Sequence, residues 1–162
     1  DIRRYILEQD LKENPFNFTD AQLRGIKAVG LYLPFVRGKG MDLGQANLLR
    51  AYLGEADLEK AVFWRADLSG GYFAEAYLKD AVLLKANLGG ADFWGAYLMG
   101  ANLEGADLWR TCFWEADLRG VLNLEKAANL MFASFNDTLV TKKEQGIIEY
   151  ALTSRKLFIV KE

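Results

Sequence analysis

The chain has 162 residues, of which 51% are hydrophobic and 26% are charged, and its formal net charge is -2. This composition predicts a soluble single domain with one core, and the small net charge gives no electrostatic argument for binding nucleic acid or an anionic membrane. The absence of histidine removes the commonest general base and metal ligand, and no apolar run reaches the roughly eighteen residues that span a bilayer.

Residues 1–30 are predicted to form an N-terminal helical cap. Over residues 2–12 the apolar side chains recur at roughly helical spacing: Ile2, Tyr5, Ile6 and Leu11. A capping-box pattern from Thr19 to Gln22 then predicts a second short helix that continues through about Ala28. Together these two helices would cover the first edge of the structure that follows.

From residue 41 to residue 120 the chain repeats every five residues without a break. The third residue of each unit is Leu or Phe, and the first is Ala at all but three positions: Met41, Gly71 and Thr111. A period of five fits neither a helix nor a strand, but it fits a chain that turns a corner every five residues. Residues 31–35 follow the same frame and residues 36–40 fit it badly, which predicts a degenerate half-coil before the strict repeats.

Large side chains also recur at intervals of twenty residues, as Phe73, Phe93 and Phe113 do. A coil of four five-residue segments would stack each such set about 4.8 Å apart, the spacing of neighbouring strands. The sixteen strict units therefore predict four coils of square cross-section. The predicted core side chains are those of Leu48, Leu58, Leu68, Phe73, Leu88, Phe93, Leu108 and Phe113.

These units resemble the A(D/N)LXX consensus of the pentapeptide-repeat protein family. The matches include Ala46-Asn47-Leu48, Ala56-Asp57-Leu58, Ala66-Asp67-Leu68, Ala86-Asn87-Leu88, Ala101-Asn102-Leu103, Ala106-Asp107-Leu108 and Ala116-Asp117-Leu118. The resemblance implies an all-β solenoid, a right-handed quadrilateral β-helix, with the central Leu or Phe and the small residue before it facing inward. The chain departs from the consensus where Tyr or Val replaces the polar second residue.

Glycine at the fifth position of a unit fits a corner that needs a positive φ. Other corners carry residues with side chains, and we expect these to use a different turn geometry: Arg50, Glu55, Lys60, Arg65 and Glu75.

The repeat frame breaks once after the strict units. The next good unit after Val121 begins at Ala128, seven residues later rather than five. A two-residue bulge between them would place Phe135 over Phe113, which predicts a fifth coil over about residues 121–140.

Residues 141–162 are predicted to form a C-terminal helical cap and tail. A capping box from Thr141 to Glu144 predicts a helix through about Thr153, with Ile147, Ile148, Ala151 and Leu152 on the core. Residues 156–160 fit an edge strand or an ordered tail equally well. Because natural repeat proteins cover both ends of a solenoid, we expect a single-domain monomer with a β-helix over residues 31–140 and capped ends.

Side chains that carry chemistry are few. Cys112 has no imidazole to activate it, and one cysteine cannot form a zinc site with Cys ligands alone. Several carboxylates occupy the second position of a unit, where polar side chains commonly satisfy backbone groups near a corner: Asp57, Asp67, Asp107 and Asp117. We therefore predict no catalytic residue, metal or cofactor, and do not expect an enzyme.

The outward positions show two less polar walls. The first, named here the Glu-edged wall, displays Tyr52, Tyr72, Trp94 and Trp114, with Glu55, Glu75 and Glu115 along its edge. The opposite wall, named here the valine wall, displays Val62, Trp64, Val82 and Leu84, edged by Arg65 and Lys85. Three interpretations are open: partner binding, lateral stacking of side chains, and cover by a terminal segment. We favour partner binding at the Glu-edged wall, with a partner that has basic rim residues, and keep the valine wall as the second candidate patch.

These observations favour a non-catalytic, regulatory scaffold that acts through protein–protein interaction, as the resemblance implies for some members. The alternative is a DNA-mimicking protein that binds and protects DNA gyrase, because one branch of the family imitates duplex charge. Residues 41–120 hold twelve acidic and seven basic side chains, a net of -5, but basic residues interrupt each wall. We expect a cytoplasmic location; because the chain begins with Asp1 rather than Met, a targeting segment removed from upstream is an open alternative.

Overall fold

The computed structural model describes the backbone of residues 10–159 and the side chains of residues 10–154. From Asn17 to Leu139 the chain coils so that the second residue of each unit pairs in parallel with the second residue of a unit in the next coil. The register is twenty residues from the Asn17–Arg37 pair to the Asn102–Leu122 pair. Four five-residue segments therefore complete each coil, as the period of twenty predicts.

Main-chain hydrogen bonds use four of the five N–H groups in a typical unit. In the unit that begins at Ala51, the first N–H closes the corner by donating to the Leu48 carbonyl, and the second donates to Leu31 in the preceding coil. The third and fifth N–H groups donate to carbonyls of the following coil. Because buried backbone groups must be paired, this ladder holds the coils together and leaves only the fourth N–H to account for.

The side chain at the second position accepts that fourth N–H. The Asp57 carboxylate accepts from the Glu59 N–H at 3.2 Å, and the Asp107 carboxylate accepts from the Trp109 N–H at 3.0 Å. The same contact recurs at Asp42, Asn47, Asp67, Asn87, Asp92, Asn102 and Asp117. The backbone role predicted for the second-position aspartates is confirmed, and Val or Tyr at this position cannot play it.

Inside the coil each side supplies one large and one small side chain. The eight predicted core residues are fully buried, as are the alanines at the first positions of the same units. The phenylalanines stack along one wall, with ring centroids 5.0 Å apart for Phe73 and Phe93 and 5.6 Å apart for Phe93 and Phe113. Side chains twenty residues apart are therefore direct neighbours in the core.

In two places the core stays filled because a glycine at one inward position is matched by a large side chain at a neighbouring inward position. Gly38 occupies the third position, where Leu or Phe is usual, and a Cβ there would lie 2.8 Å from the terminal methyl carbon of Met41. The large first-position methionine thus fills the space that the glycine leaves. A Cβ on Gly71 would lie 2.7 Å from the Phe73 ring, so this first position must be glycine. Thr111 is buried, and its hydroxyl donates to the Leu88 carbonyl at 2.9 Å.

The repeats begin at residue 16 rather than residue 31, so the second predicted N-terminal helix is wrong. Asn17, Gln22 and Lys27 pair with the next coil instead. The apolar residues of this segment recur every five positions and pack on the core, and this tertiary pairing overrides the local capping-box signature. Residues 2–9 of the first predicted helix lie outside the described residues, and residues 10–13 are helical.

The expectation of a second turn geometry at the non-glycine corners is also wrong. Arg50, Glu55, Lys60, Arg65 and Glu75 have φ between 53° and 59°, close to the 62° to 72° of the glycine corners between residues 70 and 120. Left-handed backbone costs a residue with a Cβ about 1–2 kcal/mol. The residues on both sides of each corner are fixed by the ladder, which is why one geometry persists at every corner.

The last coil accommodates two single-residue insertions rather than one two-residue bulge. The register grows to twenty-one at the Asp107–Ala128 pair and to twenty-two at the Cys112–Ser134 pair. Each lengthened segment contains a left-handed asparagine, Asn123 or Asn129, followed by a short 3-10 helix at Leu124–Lys126 or Leu130–Phe132. The predicted fifth coil is nevertheless present, and the Phe135 ring stacks on Phe113 at 5.6 Å.

A C-terminal helix, α1, spans Lys142–Ile159 and is longer than predicted. It begins with the expected capping box: the Thr141 N–H donates to the Glu144 carboxylate at 2.8 Å, and the Lys143 N–H donates to the Thr141 hydroxyl at 3.3 Å. Ile148 is buried in the core, and Ile147, Ala151 and Leu152 pack against it. Residues 156–159 continue the helix, so neither an edge strand nor a tail begins at residue 156, and residue 160 lies outside the described residues.

We expect the Leu78→Ala variant to lose about 2–5 kcal/mol of the free energy of unfolding, because its side chain is fully buried in a stack with little room to relax. Urea unfolding followed by circular dichroism measures this. Leu122→Ala is the matched control, because Leu122 is 50% exposed and outward-facing, and its loss should stay within about 0.5 kcal/mol. Equal losses in the two variants would contradict the inward assignment.

The corner geometry predicts opposite effects for the same substitution at two glycines. Gly90 has φ of 67° and no heavy atom within 4 Å of an added Cβ, so Gly90→Ala should destabilise by about 1–2 kcal/mol through the backbone alone. Gly146 lies in α1 with equally open surroundings, so Gly146→Ala should stabilise by about 0.5–1 kcal/mol. Thermal and urea unfolding compare the two, and a neutral Gly90→Ala would disprove the strained corner.

Candidate functional site

The aromatic residues of the Glu-edged wall fall into two groups. Tyr52 and Tyr72 stack with centroids 4.6 Å apart and ring planes 14° apart. A Cβ on Gly54 would lie 3.0 Å from the Tyr72 ring, so the ring lies flat over this glycine. Trp94 and Trp114 are fourth-position residues that are 38% and 46% exposed, and Tyr72, although it is stacked, is itself 36% exposed. The tyrosines support lateral stacking, whereas the tryptophans present apolar surface to solvent.

The edge of this wall is a corner with one residue per coil, and we name it the acidic corner. It consists of Phe35, Glu55, Glu75, Gly95, Glu115 and Asp137. Glu55 is already paired: its carboxylate lies 3.0 Å from the Lys12 ammonium, which also lies 5.2 Å from the Phe35 ring centroid. At the N-terminal end of the wall, a residue of the N-terminal segment therefore covers part of this corner, in line with the third interpretation of the walls. Within the described part of the chain, Glu75 and Glu115 form no ion pair.

A cavity of about 350 Å³ opens where the acidic corner has its glycine, and we name it the Gly95 notch. It is lined by Glu75, Trp94, Gly95, Tyr97, Glu115, Asp117 and Leu139. The patch predicted from the sequence includes the two glutamates and Trp94 but not the other lining residues, three of which belong to the next wall. Tyr97 could have been included from the sequence, because it stands two positions after the Gly95 corner in the same coil.

Asp117 is the buried acid of the notch, and its charge is compensated. The Arg119 guanidinium donates to its carboxylate oxygens at 2.9 and 2.6 Å, and the Arg119 N–H donates to the same side chain at 3.1 Å. The side-chain hydrogen bond from Arg119 lowers the pKa of Asp117 below its ordinary value, and the same contact raises the pKa of Arg119. The negative charge that the notch offers to a ligand therefore comes from Glu75 and Glu115.

The valine wall is more covered than the Glu-edged wall. Val62, Trp64, Val82 and Leu84 are all only partly exposed. Two guanidinium groups lie near the Trp64 ring, with the Arg24 Cζ 5.7 Å and the Arg65 Cζ 4.8 Å from its centroid. This tryptophan already has cationic partners within the chain, which makes the wall a poorer surface for a second molecule.

A larger cavity, of about 530 Å³, lies between the last coil and α1. Its apolar lining comes mainly from Leu130, Met131, Ile147 and Ala151, with Glu125 and Lys143 among its polar residues. The cavity follows from the two 3-10 insertions and the helix beside them, and none of the predicted site residues lies in it.

Among residues 10–159, no three His, Cys, Asp or Glu side chains lie in an arrangement that could hold a metal ion. Over the same residues, the helices are too short or too polar to cross a membrane. The cytoplasmic location stays a prediction.

The five-residue period and the inward Leu and Phe residues also occur in a known family of repeat proteins. A family model described as "Pentapeptide repeats (8 copies)" matches residues 46–84, 56–95, 81–120 and 96–138. The chain belongs to the pentapeptide-repeat family. Members of this family fold as right-handed quadrilateral β-helices, which is the predicted fold class, and the parallel register of twenty residues agrees with it.

Solved structures of the same family resemble the chain to different degrees. Rfr23 from the cyanobacterium Cyanothece 51142 is 26% identical, with 88% of this chain and 97% of that chain covered and a TM-score of 0.54. HetL, involved in heterocyst differentiation regulation in Nostoc sp. strain PCC 7120, is 28% identical, with coverage of 83% and 58% and a TM-score of 0.36. QnrB1, a plasmid-mediated fluoroquinolone resistance protein, is 16% identical, with coverage of 84% and 90% and a TM-score of 0.38. The last two superpositions are too poor to carry a functional argument. No curated protein matches the chain.

The Asp117–Arg119 pair predicts how stability depends on pH. Because the folded pKa of Asp117 is lower than its unfolded value, its ionised form stabilises the fold above about pH 4. This contribution is lost as the pH falls through the lowered folded pKa. We therefore expect Asp117→Asn to be less stable than the natural protein at about pH 7, with a difference that shrinks toward about pH 3.

Urea unfolding at a series of pH values measures that difference. In an Arg119→Met background the pH-dependent part should be smaller, because the group that lowers the pKa is gone. A difference between the two proteins that does not change with pH would show that the pair does not couple to folding.

Proposed function

We propose that the protein is a non-catalytic scaffold, regulatory in role, that binds another protein through the C-terminal half of its Glu-edged wall. The observation that carries this proposal is the exposure of Trp94 and Trp114, 38% and 46%, on adjacent coils of a rigid ladder. Pentapeptide-repeat proteins are generally structural or interaction proteins. Exposed aromatic side chains are also the residues on which binding energy concentrates in protein interfaces.

Rigidity makes this surface suited to binding. The backbone of each tryptophan is tied to the preceding coil, since the Glu75 and Gly95 N–H groups donate to the Trp94 and Trp114 carbonyls at 2.8 and 2.9 Å. The Asp92 carboxylate also accepts the Trp94 N–H at 3.0 Å. A surface that is already ordered loses little conformational entropy on association, so its aromatic area contributes more fully to affinity.

The patch that we propose is smaller than the one indicated by the sequence, because several residues of the wall already contact other parts of the chain. Tyr52 and Tyr72 stack on each other, and the Tyr72 ring lies against Gly54. Glu55 forms an ion pair with Lys12. Tyr97, 46% exposed, extends the aromatic surface around the corner onto the next wall. The proposed patch is therefore Trp94, Trp114 and Tyr97 with Glu75 and Glu115, and its partner has basic residues at its rim.

The distribution of charge disfavours the alternative of a gyrase-binding DNA mimic. Arg65 and Lys85 occupy the same position in the corner diagonally opposite the acidic corner. A duplex mimic needs negative charge along its length, whereas this solenoid has one acidic corner and two corners whose charged residues are basic, since Arg50 and Arg110 share another corner. The asymmetry suits a surface that is recognised from one side.

We also propose that the chain is a monomer with covered ends. At the C-terminal end, Ile148 of α1 is buried in the core, as a cap requires. At the N-terminal end, a wholly apolar cavity of about 220 Å³ lies among Phe18, Leu23, Ile26 and their neighbours. The N-terminal cap remains a prediction for residues 1–9, and this cavity is the surface it would have to cover.

The proposed function is tested by affinity capture from the native organism with the natural protein and with the Trp94→Ala/Trp114→Ala variant. We expect the double variant to remain folded and to lose a protein that the natural chain retains, which is then purified and titrated calorimetrically. Trp64→Ala, on the valine wall, is the matched control and should retain it. Identical partners for all three proteins would refute the proposal, and loss confined to Trp64→Ala would move the site to the valine wall.

A further inference from the structure

The acidic corner has one position without a side chain. Between Glu75 and Glu115 stands Gly95, with φ of 62°, the same left-handed geometry as its neighbours in the column. A Cβ on Gly95 would lie 3.4 Å from the Glu75 Cγ, an ordinary contact, so the position is not glycine for want of space. Since glutamates occupy this geometry at three other corners of the column, the backbone does not demand glycine either. What the glycine provides is the opening of the Gly95 notch.

The lining of the notch is the kind that binds an organic cation. Trp94 and Tyr97 flank the glycine along the chain, one on each wall, and both are exposed. The carboxylates of Glu75 and Glu115 lie on the coils to either side, without an ion pair in the described residues. Aromatic faces attract ammonium and guanidinium groups, and carboxylates hydrogen-bond them.

The chain itself places a cation on this corner. Two and three coils before Gly95, at Glu55 and Phe35, the Lys12 ammonium lies 3.0 Å from the Glu55 carboxylate and 5.2 Å from the Phe35 ring centroid. That site is built from one aromatic ring and one glutamate of the acidic corner. The Gly95 notch has the same two kinds of group in larger number, and no lysine or arginine of the described chain pairs with its glutamates. Arg119 is close by but is bonded to Asp117.

We propose that the Gly95 notch is a binding site for the cationic side chain, arginine or lysine, of a partner protein. The cation would lie between the two glutamates with its face or stem against Trp94 and Tyr97. This inference rests on the proposed function and deepens it, because it names the chemical group that the wall recognises. Arginine is the better fit, since its planar guanidinium both stacks on aromatic rings and pairs with carboxylates.

The direct test is an NMR titration of the full chain with a defined probe, the tripeptide acetyl-Gly-Arg-Gly-amide. We expect saturable shifts of the Trp94 indole N–H and the Gly95 amide signals, with a dissociation constant in the millimolar range that one such contact supports. The matched probe has citrulline in place of arginine, which keeps the shape and removes the charge, and it should leave both signals unchanged. Shifts of equal size with the neutral probe would overturn the proposal, as would the absence of saturable shifts with arginine.

A variant that fills the notch provides the second arm. Gly95→Lys introduces an ammonium at a corner whose geometry already accepts lysine, since Lys60 and Lys85 have φ of 59° and 57°. We expect it to fold and to weaken binding of the arginine probe at least tenfold. Gly90→Lys is the control, because it adds the same charge at another open corner, and it should bind the probe as the natural protein does. Equal affinity in all three proteins would place the probe elsewhere.

The two proposals fail separately. If affinity capture loses its protein in Trp94→Ala/Trp114→Ala but not in Gly95→Lys, the aromatic wall binds the partner and the notch inference is wrong. If the purified partner binds the natural chain and fails to bind both Gly95→Lys and the double variant, with Gly90→Lys unaffected, the inference holds. If all the variants retain the partner, the proposed function fails whatever the tripeptide does.

Discussion

The constraint on which the structure depends is that the backbone N–H groups of each five-residue unit need acceptors while the chain turns four corners per coil. The ladder satisfies the first, second, third and fifth N–H groups of a typical unit, and the side chain of the second residue satisfies the fourth where that residue is Asp or Asn. The inward positions then have only the space that four close walls leave, which suits one Leu or Phe and one Ala. The pentapeptide motif is the solution to these two requirements.

The register of twenty could be predicted because it depends on repetition in the sequence alone. What could not be predicted are the places where the ladder overrides local signals. The segment around Thr19 carries a helix-capping pattern but pairs with the next coil, and Arg50 takes the same left-handed turn as the glycines. In both cases neighbouring coils fix the backbone, and local propensity is the weaker term.

Part of the candidate site could also be predicted from the sequence, because it too follows from the repetition. Periodicity assigns each residue to a wall, which is how Trp94, Glu75 and Glu115 were grouped. It does not show which side chains lie flat, as Tyr72 does over Gly54, or which are already paired, as Glu55 is. Nor does it show that Tyr97 reaches around a corner into the same cavity. Because the backbone of a rigid coil does not adjust, these side-chain contacts determine which residues the surface exposes.

The most direct test of the hydrogen-bond ladder is residue-resolved amide hydrogen exchange of the full chain. The ladder predicts protection with a period of five: over residues 41–95, amides at the first, second, third and fifth positions of each unit exchange slowly. Amides at the fourth position exchange faster where the second residue offers no acceptor, as at Lys79 and Met99, which follow Tyr77 and Tyr97. Protection in continuous blocks, or with no relation to the five-residue unit, would contradict the ladder.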